Sequence, residues 1–196
     1  MRRGAPAFVL WLLLLVFALP GARVAARSTG HPRHHAIDAL IIHSLGGPDC
    51  QNGALFYKQI DGDAQSWARR FASLPGVSIH YVIGRDGAVV AGIPEAMAAS
   101  HAIGWNQRSI GIELVNNGDG VDPFPAAQLD ALVQLAREIR ERHPDITIEH
   151  VLRHSDVDQT MFPALHGRRC GAYRRKLDPG DAFPWVDFKA ALAIDQ

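Results

Sequence analysis

Glu113 is a carboxylate in a segment that is otherwise typical of a strand. It lies in RSIGIELVNNG, where isoleucine and leucine alternate with smaller or polar residues. This alternation predicts a strand with one wholly apolar face. Burying a carboxylate on the other face is costly unless something pairs with it. Two interpretations stay open: the polar face of the strand meets water, or Glu113 lies at the floor of a cleft, with Gly111 leaving room for a ligand.

Two histidines and an aspartate occur where strands or turns are predicted to end. His43 closes the isoleucine-rich segment IDALIIHSL, and His154 closes ITIEHVLRH. Asp178 precedes Pro179 and Gly180, which predict a sharp turn. Two imidazoles and a carboxylate are three ligands, the number that a catalytic zinc site uses while its fourth position stays open for water. Because the chain has ten histidines, spacing alone does not select this set over ordinary structural roles.

Strand and helix patterns alternate along the chain and would position these side chains. IDALIIHSL is nearly continuous in its apolar character, which is typical of a strand covered on both faces. VSIHYVIGRDGAVVAGI predicts a hairpin with Asp86 and Gly87 at its turn. Helical spacing occurs in GDAQSWARRFASL, FPAAQLDALVQLAREIRERHP and PWVDFKAALA. The pattern predicts a single α/β domain over residues 37–196, with a mixed central β-sheet flanked by helices. Residues 155–176 are expected to form a long loop at the rim of a cleft.

The N-terminal residues are expected to lie outside this domain. MRRGAP is basic, AFVLWLLLLVFALP is apolar, and GARVAA supplies the small residues that a signal peptidase accepts. The apolar run is shorter than the ~20 residues that span a bilayer comfortably. We therefore expect a signal peptide over residues 1–26, a flexible leader over 27–36, and no stable membrane insertion after cleavage.

The charge balance and the cysteine content indicate which partners and which redox compartment are compatible with the chain. The chain has 20 basic and 20 acidic residues, so nothing indicates a polyanionic partner such as nucleic acid. An exported protein meets oxidising conditions, under which Cys50 and Cys170 could form a disulfide. The alternative is that both are unpaired, buried thiols.

Five segments resemble, in the same order, segments of the zinc-dependent N-acetylmuramoyl-L-alanine amidases. They are LIIHS, SIHYVIGRDG, SIGIELVNNG, LRHSDVD and RKLDPGDAFPW, and they extend over approximately residues 37–190. That superfamily also contains phage lysozyme-amidases and animal peptidoglycan recognition proteins. The resemblance implies hydrolysis of the bond between the lactyl group of muramic acid and L-alanine of the stem peptide.

The resemblance also implies a ligand set for Zn²⁺. The two zinc histidines of the family would be His43 and His154, and the third ligand would be Asp178. Some phage members have cysteine at this third position, whereas this chain has aspartate. His166 and Cys170 lie close enough to Asp178 in sequence to be alternative ligands.

Two further residues would act on the reaction itself. The catalytic glutamate of the family would be Glu113, taking a proton from water and passing it to the departing amine. The conserved lysine, two residues before the third ligand, would be Lys176, which can offset negative charge on the tetrahedral oxygen. Phage-type enzymes have tyrosine where this chain has Ile79, a departure that favours the mechanism based on Glu113.

By the same resemblance, His101, Trp105 and Asn106 would line the substrate groove. Surface hydrogen bonding is the alternative for His101, and core packing is the alternative for Trp105. We expect His80 to pack inside the sheet rather than bind a metal.

Two functions that differ in chemistry are compatible with these residues, and a third, a secreted toxin delivered to rival cells, would share the chemistry of the first. The first is an exported zinc amidase, periplasmic or secreted, acting as a monomer on peptidoglycan or muropeptides. The second is a peptidoglycan-binding module without turnover. Binding-only members typically lack one or more zinc ligands, and the presence of all three ligands here, together with Glu113 and Lys176, favours the enzyme.

Overall fold

The computed structural model describes residues 30–162 and 170–194. The expected signal peptide and His166 lie outside these residues. The helices are α1 (Ala64–Ser73), α2 (Ala126–Arg142), α3 (His154–Val157) and α4 (Trp185–Ala193). The strands are β1 (His31–Pro32), β2 (Ala39–Ser44), β3 (Pro48–Gln51), β4 (Ala54–Tyr57), β5 (Tyr81–Ile83), β6 (Val89–Ala91), β7 (Met97–Ala98), β8 (Ser109–Leu114), β9 (Val151–Arg153), β10 (Met161–Phe162) and β11 (Tyr173–Arg174).

A five-stranded mixed sheet forms the centre, with strand order β6-β5-β8-β2-β9. The last four strands of this order run parallel, whereas β6 pairs antiparallel with β5 at one edge. Every residue of β2 is buried, because a central parallel strand is covered on both faces. The predicted α/β fold with a mixed sheet is confirmed.

Apolar clusters on the two faces of the sheet hold the helices in place. The larger cluster contains side chains of β2, β8, α2 and α4, including Leu40, Ile112, Leu132 and Leu192. The smaller one packs α1 against β5 and β6 through residues such as Ala68. Each fully buried aliphatic side chain contributes about 1.5–3 kcal/mol relative to an exposed one. The sheet is therefore a rigid base for residues at its strand ends.

The ends of the two longer helices follow from local sequence. Asp63 caps α1 by accepting a hydrogen bond from the Ser66 backbone N–H at 2.7 Å, and the Ser66 hydroxyl completes a capping box. Helix α2 begins directly after Pro125 and ends two residues before Pro144, which cannot continue a helix. The buried Gln128 donates to the carbonyl of Ile83, which ties α2 to the sheet.

Parts of the chain fold differently from the sequence prediction. Only Val151–Arg153 of ITIEHVLRH forms a strand, because the backbone of Ile148–His150 turns into a 3-10 helix. The expected loop over 155–176 contains most of α3 and the antiparallel pair of β10 and β11. The hairpin of β3 and β4 was not predicted, although Asn52 and Gly53 have the positive φ angles that favour this dipeptide at hairpin turns.

Residues 30–36, expected to belong to a flexible leader, are instead held against the fold. Strand β1 pairs antiparallel with β7. Next to it, the Arg33 guanidinium donates to backbone carbonyls of Gln107 at 2.6 Å and Met97 at 2.9 Å. A guanidinium surrounded by carbonyl acceptors loses these bonds if the segment detaches, which explains the ordered backbone.

A disulfide joins Cys50 to Cys170, so the open question about these cysteines resolves in favour of the bridge. It links β3 to the segment that leads to Asp178. Within the described ranges, no helix combines the length and apolar character needed to cross a membrane.

Candidate metal centre and active site

Three candidate residues lie at the carboxyl ends of adjacent parallel strands. His43 is the fifth residue of β2, and its register partner on β8 is Glu113. His154 directly follows β9, the other neighbour of β2, and begins α3. Because parallel strands end at the same edge of a sheet, the fold brings these side chains to one place. Such edges are where open α/β sheets bind ligands.

Asp178 reaches the same edge from the segment after β11. Its carbonyl accepts a hydrogen bond from the Ser155 N–H at 3.1 Å, which fastens the segment to the start of α3. The Gly180 N–H donates to the Leu177 carbonyl at 3.0 Å and closes the turn predicted there. The peptide between Asp178 and Pro179 is cis.

Two imidazole nitrogens and one carboxylate oxygen converge in a triangle. The Nδ1 atoms of His43 and His154 are 2.8 Å apart. Asp178 Oδ2 lies 2.9 Å from His154 Nδ1 and 3.4 Å from His43 Nδ1. All three side chains are buried, with 1–4% of each exposed. The sequence-based set His43, His154 and Asp178 is therefore a cluster that could hold a metal ion.

The electrostatics of this triangle suit a cation. Burial lowers the pKa of His43 to about 4, so its imidazole is neutral at neutral pH. Burial alone would raise the pKa of Asp178, but the adjacent imidazoles of His154 and His43 outweigh it and hold the pKa well below its ordinary value. A neutral imidazole and an ionised carboxylate are the forms that bind metals.

The donor set and its spacing fit zinc. In a tetrahedral site with bonds of about 2.0 Å, ligand atoms lie roughly 3.3 Å apart, close to the separations between these three atoms. Two imidazoles and one carboxylate leave a fourth position free, as catalytic zinc sites do. Cys170 is not available as an alternative thiolate ligand because its sulfur is bonded to Cys50.

Glu113 also faces this space. Its Oε2 is sealed from solvent and accepts no hydrogen bond from any residue in the described ranges. Burial and the nearby charge of Asp178 raise the pKa of Glu113 to about 8, and the charge of Lys176 acts in the opposite direction. A carboxyl group that titrates near neutral pH is suited to proton transfer.

A cleft of about 750 Å³ opens onto this centre. Glu113, His154, Lys176 and Asp178 line it, so the structure brings Lys176 to the same cavity as the candidate ligands. The apolar part of the lining comes from α1 and nearby segments: Trp67, Phe71, Leu74, Val77 and Ile103. Charged residues also line the cleft: Arg70 on α1, Asp49 on β3, Lys58 directly after β4 and Arg175 directly after β11.

The sequence predicted part of this lining, because Arg175 and Lys176 belong to residues 155–176, which were expected at the rim of a cleft. The contribution of the β3–β4 hairpin was not predicted, because the hairpin is joined to the distant segment around Cys170 by a contact that no local pattern encodes.

Only some of the residues expected to line a substrate groove line the cleft. His101 and Asn106 do line the cleft. The Asn106 side-chain oxygen is occupied by the backbone N–H groups of His101 at 2.9 Å and Ala102 at 2.7 Å. Trp105 is not among the residues that line the cleft; its ring packs instead against the Arg108 guanidinium at 5.0 Å.

Gly111 has a different role from the one expected. The space beside it is not open to a ligand, because a Cβ built there would lie 2.5 Å from His101 Nδ1 and 2.6 Å from Ile79 Cδ1. His80 packs inside the sheet as expected: it is fully buried, and its Nδ1 accepts the Gly111 N–H at 3.0 Å.

Known proteins share this architecture. A family model described as N-acetylmuramoyl-L-alanine amidase matches residues 33–181. The 1,6-anhydro-N-acetylmuramyl-L-alanine amidase AmpD of Enterobacter cloacae is 33% identical over 166 residues, which cover 78% of this chain and 79% of that protein.

Two solved structures extend the comparison. The N-acetylmuramoyl-L-alanine amidase LysC from Clostridium intestinale URNW has a TM-score of 0.58 at 23% identity, with 89% of this chain and 99% of that chain covered. The amidase AmiD from E. coli, in complex with the substrate anhydro-N-acetylmuramic acid-L-Ala-D-gamma-Glu-L-Lys, has a TM-score of 0.58 at 27% identity, with 84% and 61% covered. At 23% identity, the likeness to LysC shows the fold alone.

Proposed function

Since this chain belongs to the N-acetylmuramoyl-L-alanine amidase family, we propose that it is a zinc enzyme with the ligands His43, His154 and Asp178. It is an amidase that hydrolyses the bond between the lactyl group of N-acetylmuramic acid and the L-alanine of a stem peptide. The observation that carries the zinc proposal is the convergence of two imidazole nitrogens and one carboxylate oxygen at 2.8–3.4 Å.

Hydrolysis of an amide requires an activated water and a polarised carbonyl. Zinc bound in the triangle supplies Lewis-acid chemistry for both. Glu113, on the strand next to His43, takes a proton from the attacking water and passes it to the departing amine. Its place among the residues that line the cleft, beside the candidate ligands, supports this role.

Lys176 stabilises the charge that the reaction creates. When water adds to the amide carbon, negative charge develops on the carbonyl oxygen. The half-buried Lys176 lines the same cleft as Glu113, and its positive charge acts on Glu113. Electrostatic stabilisation of this kind is typically worth a few kcal/mol, about 2.7–4 for one donor in an oxyanion hole.

The substrate class is a muropeptide, and its 1,6-anhydro form is included. The relative from Enterobacter cloacae is named for this anhydro sugar, and AmiD was solved with an anhydromuropeptide substrate. The lining of the cleft of about 750 Å³ includes apolar side chains, which suit methyl groups and sugar faces, and charged side chains, which suit carboxylates.

We also propose export to the periplasm or beyond, with the monomer as the working form. The sequence of residues 1–26 supports export, and so does the disulfide, because disulfides persist in oxidising compartments. N-terminal sequencing of protein recovered from the periplasm or medium tests this directly. A mature chain that still begins at Met1 would contradict export by signal cleavage.

The test of the function is mass spectrometry of products from defined muropeptides, with and without the 1,6-anhydro sugar. We expect a free stem peptide beginning with L-alanine, no product after treatment with a chelator, and recovery when zinc is added. Undiminished hydrolysis by metal-free protein would contradict the metal site. Cleavage at another bond would contradict the assigned reaction.

A further inference from the structure

A line of hydrogen bonds runs from the candidate ligand His43 into the body of the protein. His43 Nε2 lies 2.9 Å from His101 Nδ1. The other nitrogen of that ring, His101 Nε2, lies 3.2 Å from the Ser109 hydroxyl. Ser109 donates to the Trp105 carbonyl at 2.8 Å. Both ring nitrogens of His101 are therefore occupied within the protein.

The last bond of this line fixes the direction of the others. A carbonyl oxygen only accepts, so the single hydroxyl hydrogen of Ser109 is used on Trp105. The hydroxyl oxygen is then the acceptor for His101 Nε2–H. A neutral imidazole carries one N–H, which leaves His101 Nδ1 as an acceptor for His43 Nε2–H. His43 Nδ1, on the opposite side of its ring, keeps its lone pair.

The reverse direction would be incompatible with a metal in the triangle. If Ser109 donated to His101 Nε2, its hydrogen bond to Trp105 would be lost. His101 Nδ1–H would then donate to His43 Nε2, and the hydrogen of a neutral His43 would lie on Nδ1. That hydrogen would occupy the side of the ring that faces His154 and Asp178.

Close packing holds the His101 ring in the position this line requires. Gly111 leaves space for the ring, since a Cβ there would lie 2.5 Å from His101 Nδ1. The backbone N–H of His101 is bound by Asn106 Oδ1 at 2.9 Å.

We propose that His101 and Ser109 are positioning residues that hold His43 in its Nε2–H tautomer, so that Nδ1 is presented to the metal. This inference rests on the metal site proposed above. It replaces the expectation that His101 binds substrate, because neither of its nitrogens is free to do so. Partners of this type raise metal affinity by fixing the tautomer and orientation of the ligand.

The direct test is long-range ¹H–¹⁵N NMR of histidine tautomers in the metal-free protein at neutral pH. His101 should carry its hydrogen on Nε2, and the His101→Asn variant identifies its signal by removing it. A hydrogen on His101 Nδ1 would overturn the proposal. This measurement requires neither bound zinc nor catalytic activity.

Zinc affinity supplies a second test, measured by competition with a chromophoric chelator. His101→Leu removes the acceptor, and we expect its zinc dissociation constant to rise about 10–100-fold. His101→Asn retains an oxygen at the position of Nδ1, so it should remain closer to the parent than His101→Leu. Ser109→Ala should weaken binding less than His101→Leu, and the exposed His34→Leu serves as a control.

The outcomes distinguish failure of this inference from failure of the proposed metal site. Equal weakening in His101→Asn and His101→Leu would indicate a packing role alone and overturn the proposal, as would parental affinity in His101→Leu. Failure of the parent to bind zinc would instead contradict the proposed metal site, and the tautomer of His101 would still decide the direction of the hydrogen bonds.

Discussion

Two clusters in this molecule combine carboxylates with histidines, and they are organised in opposite ways. In the Glu95 cluster (Glu95, Tyr81, Arg142 and His143), the carboxylate accepts hydrogen bonds from Arg142 at 2.7 Å and His143 at 2.7 Å. The Tyr81 hydroxyl also donates to it. The negative charge of Glu95 is thus compensated by donors of the protein itself.

The metal cluster (His43, His154, Asp178 and Glu113) lacks such compensation. In the described part of the chain, no lysine or arginine forms an ion pair with Asp178, whose close partners are the two imidazoles. Glu113 Oε2 has no partner at all within those residues. A carboxylate whose charge is balanced by a cationic side chain stabilises the fold, whereas a buried carboxylate that has only imidazoles beside it provides a site for a cation.

The largest expected effect separates chemistry from metal binding within the metal cluster. Glu113→Gln keeps the size of the side chain and removes the proton acceptor, so turnover of a muropeptide should fall about 10²–10⁴-fold. Zinc content should remain at the parental level, because Glu113 is not one of the converging ligands. Steady-state kinetics and metal analysis of the same preparation check both results.

The matched control for this change is Glu141→Gln, at an exposed position on α2. It should retain parental turnover. Parental turnover in Glu113→Gln would show that Glu113 has no part in the mechanism. Loss of zinc from that variant would show that Glu113 is a metal ligand.

The second prediction concerns metal-dependent stability. At free zinc 100-fold above the dissociation constant, binding should stabilise the native state by about 2.7 kcal/mol. For a domain of this size, that corresponds to an increase in Tm of roughly 5–10 °C. Asp178→Asn should abolish most of this increase, because it removes the anionic ligand.

Thermal unfolding with and without chelator measures this difference. Glu95→Gln is the informative comparison, since its carboxylate belongs to the other cluster and its zinc-dependent increase should persist. An equal increase in Asp178→Asn and the parent would show that zinc binds elsewhere.

A smaller effect is expected when the Glu95 cluster is broken. Burial opposes ionisation of Glu95, but hydrogen bonds from Arg142, Tyr81 and His143 outweigh it and lower its pKa to about 2. Glu95→Gln should therefore reduce the free energy of unfolding at pH 7 by about 1–2 kcal/mol, after allowance for solvent screening of the partly exposed arginine.

The pH dependence of this loss has a definite sign. Since the folded pKa of Glu95 lies below its ordinary value of 4.5, its contribution is complete above that value and disappears as the pH falls through about 2. Urea unfolding of parent and Glu95→Gln between pH 7 and pH 2 should show the difference shrinking. A difference that grows on acidification would contradict this account.

The smallest effect is expected at Gly111, which touches the metal cluster only through His101. Gly111→Ala places a methyl group where the His101 ring now lies. We expect a severalfold weaker affinity for zinc, well short of the effect of Asp178→Asn. Titration with a competing chelator measures it, and an unchanged affinity would mean that the ring can shift without disturbing His43.

How much the sequence could predict depended on whether a residue's position is set locally. The apolar run before His43 and the alternation around Glu113 identified two strands, and the parallel sheet then brought their ends together. Asp178 could be linked to these residues only through the family resemblance, because its approach depends on a long segment that returns to the sheet. A separation of 135 residues between His43 and Asp178 leaves no periodic signal.

The errors have the same origin. Gly111 was correctly recognised as a gap in the strand, but the sequence does not tell which side chain fills it. His101 fills it from a loop, through contacts that depend on tertiary structure. Residues 30–36 have a polar composition typical of a leader, and their attachment depends on carbonyl groups of distant segments that Arg33 happens to meet.

The register of β2 and β8 makes His43 and Glu113 neighbours across a hydrogen-bonded ladder. Their separation is consequently as stiff as the sheet itself, whereas the disulfide-linked hairpin of β3 and β4, which contributes Asp49 to the cavity lining, lies outside that sheet. Exchanging that hairpin for one of different shape or charge is thus a route to altering which cell-wall fragments enter, while the reacting groups keep their mutual distance.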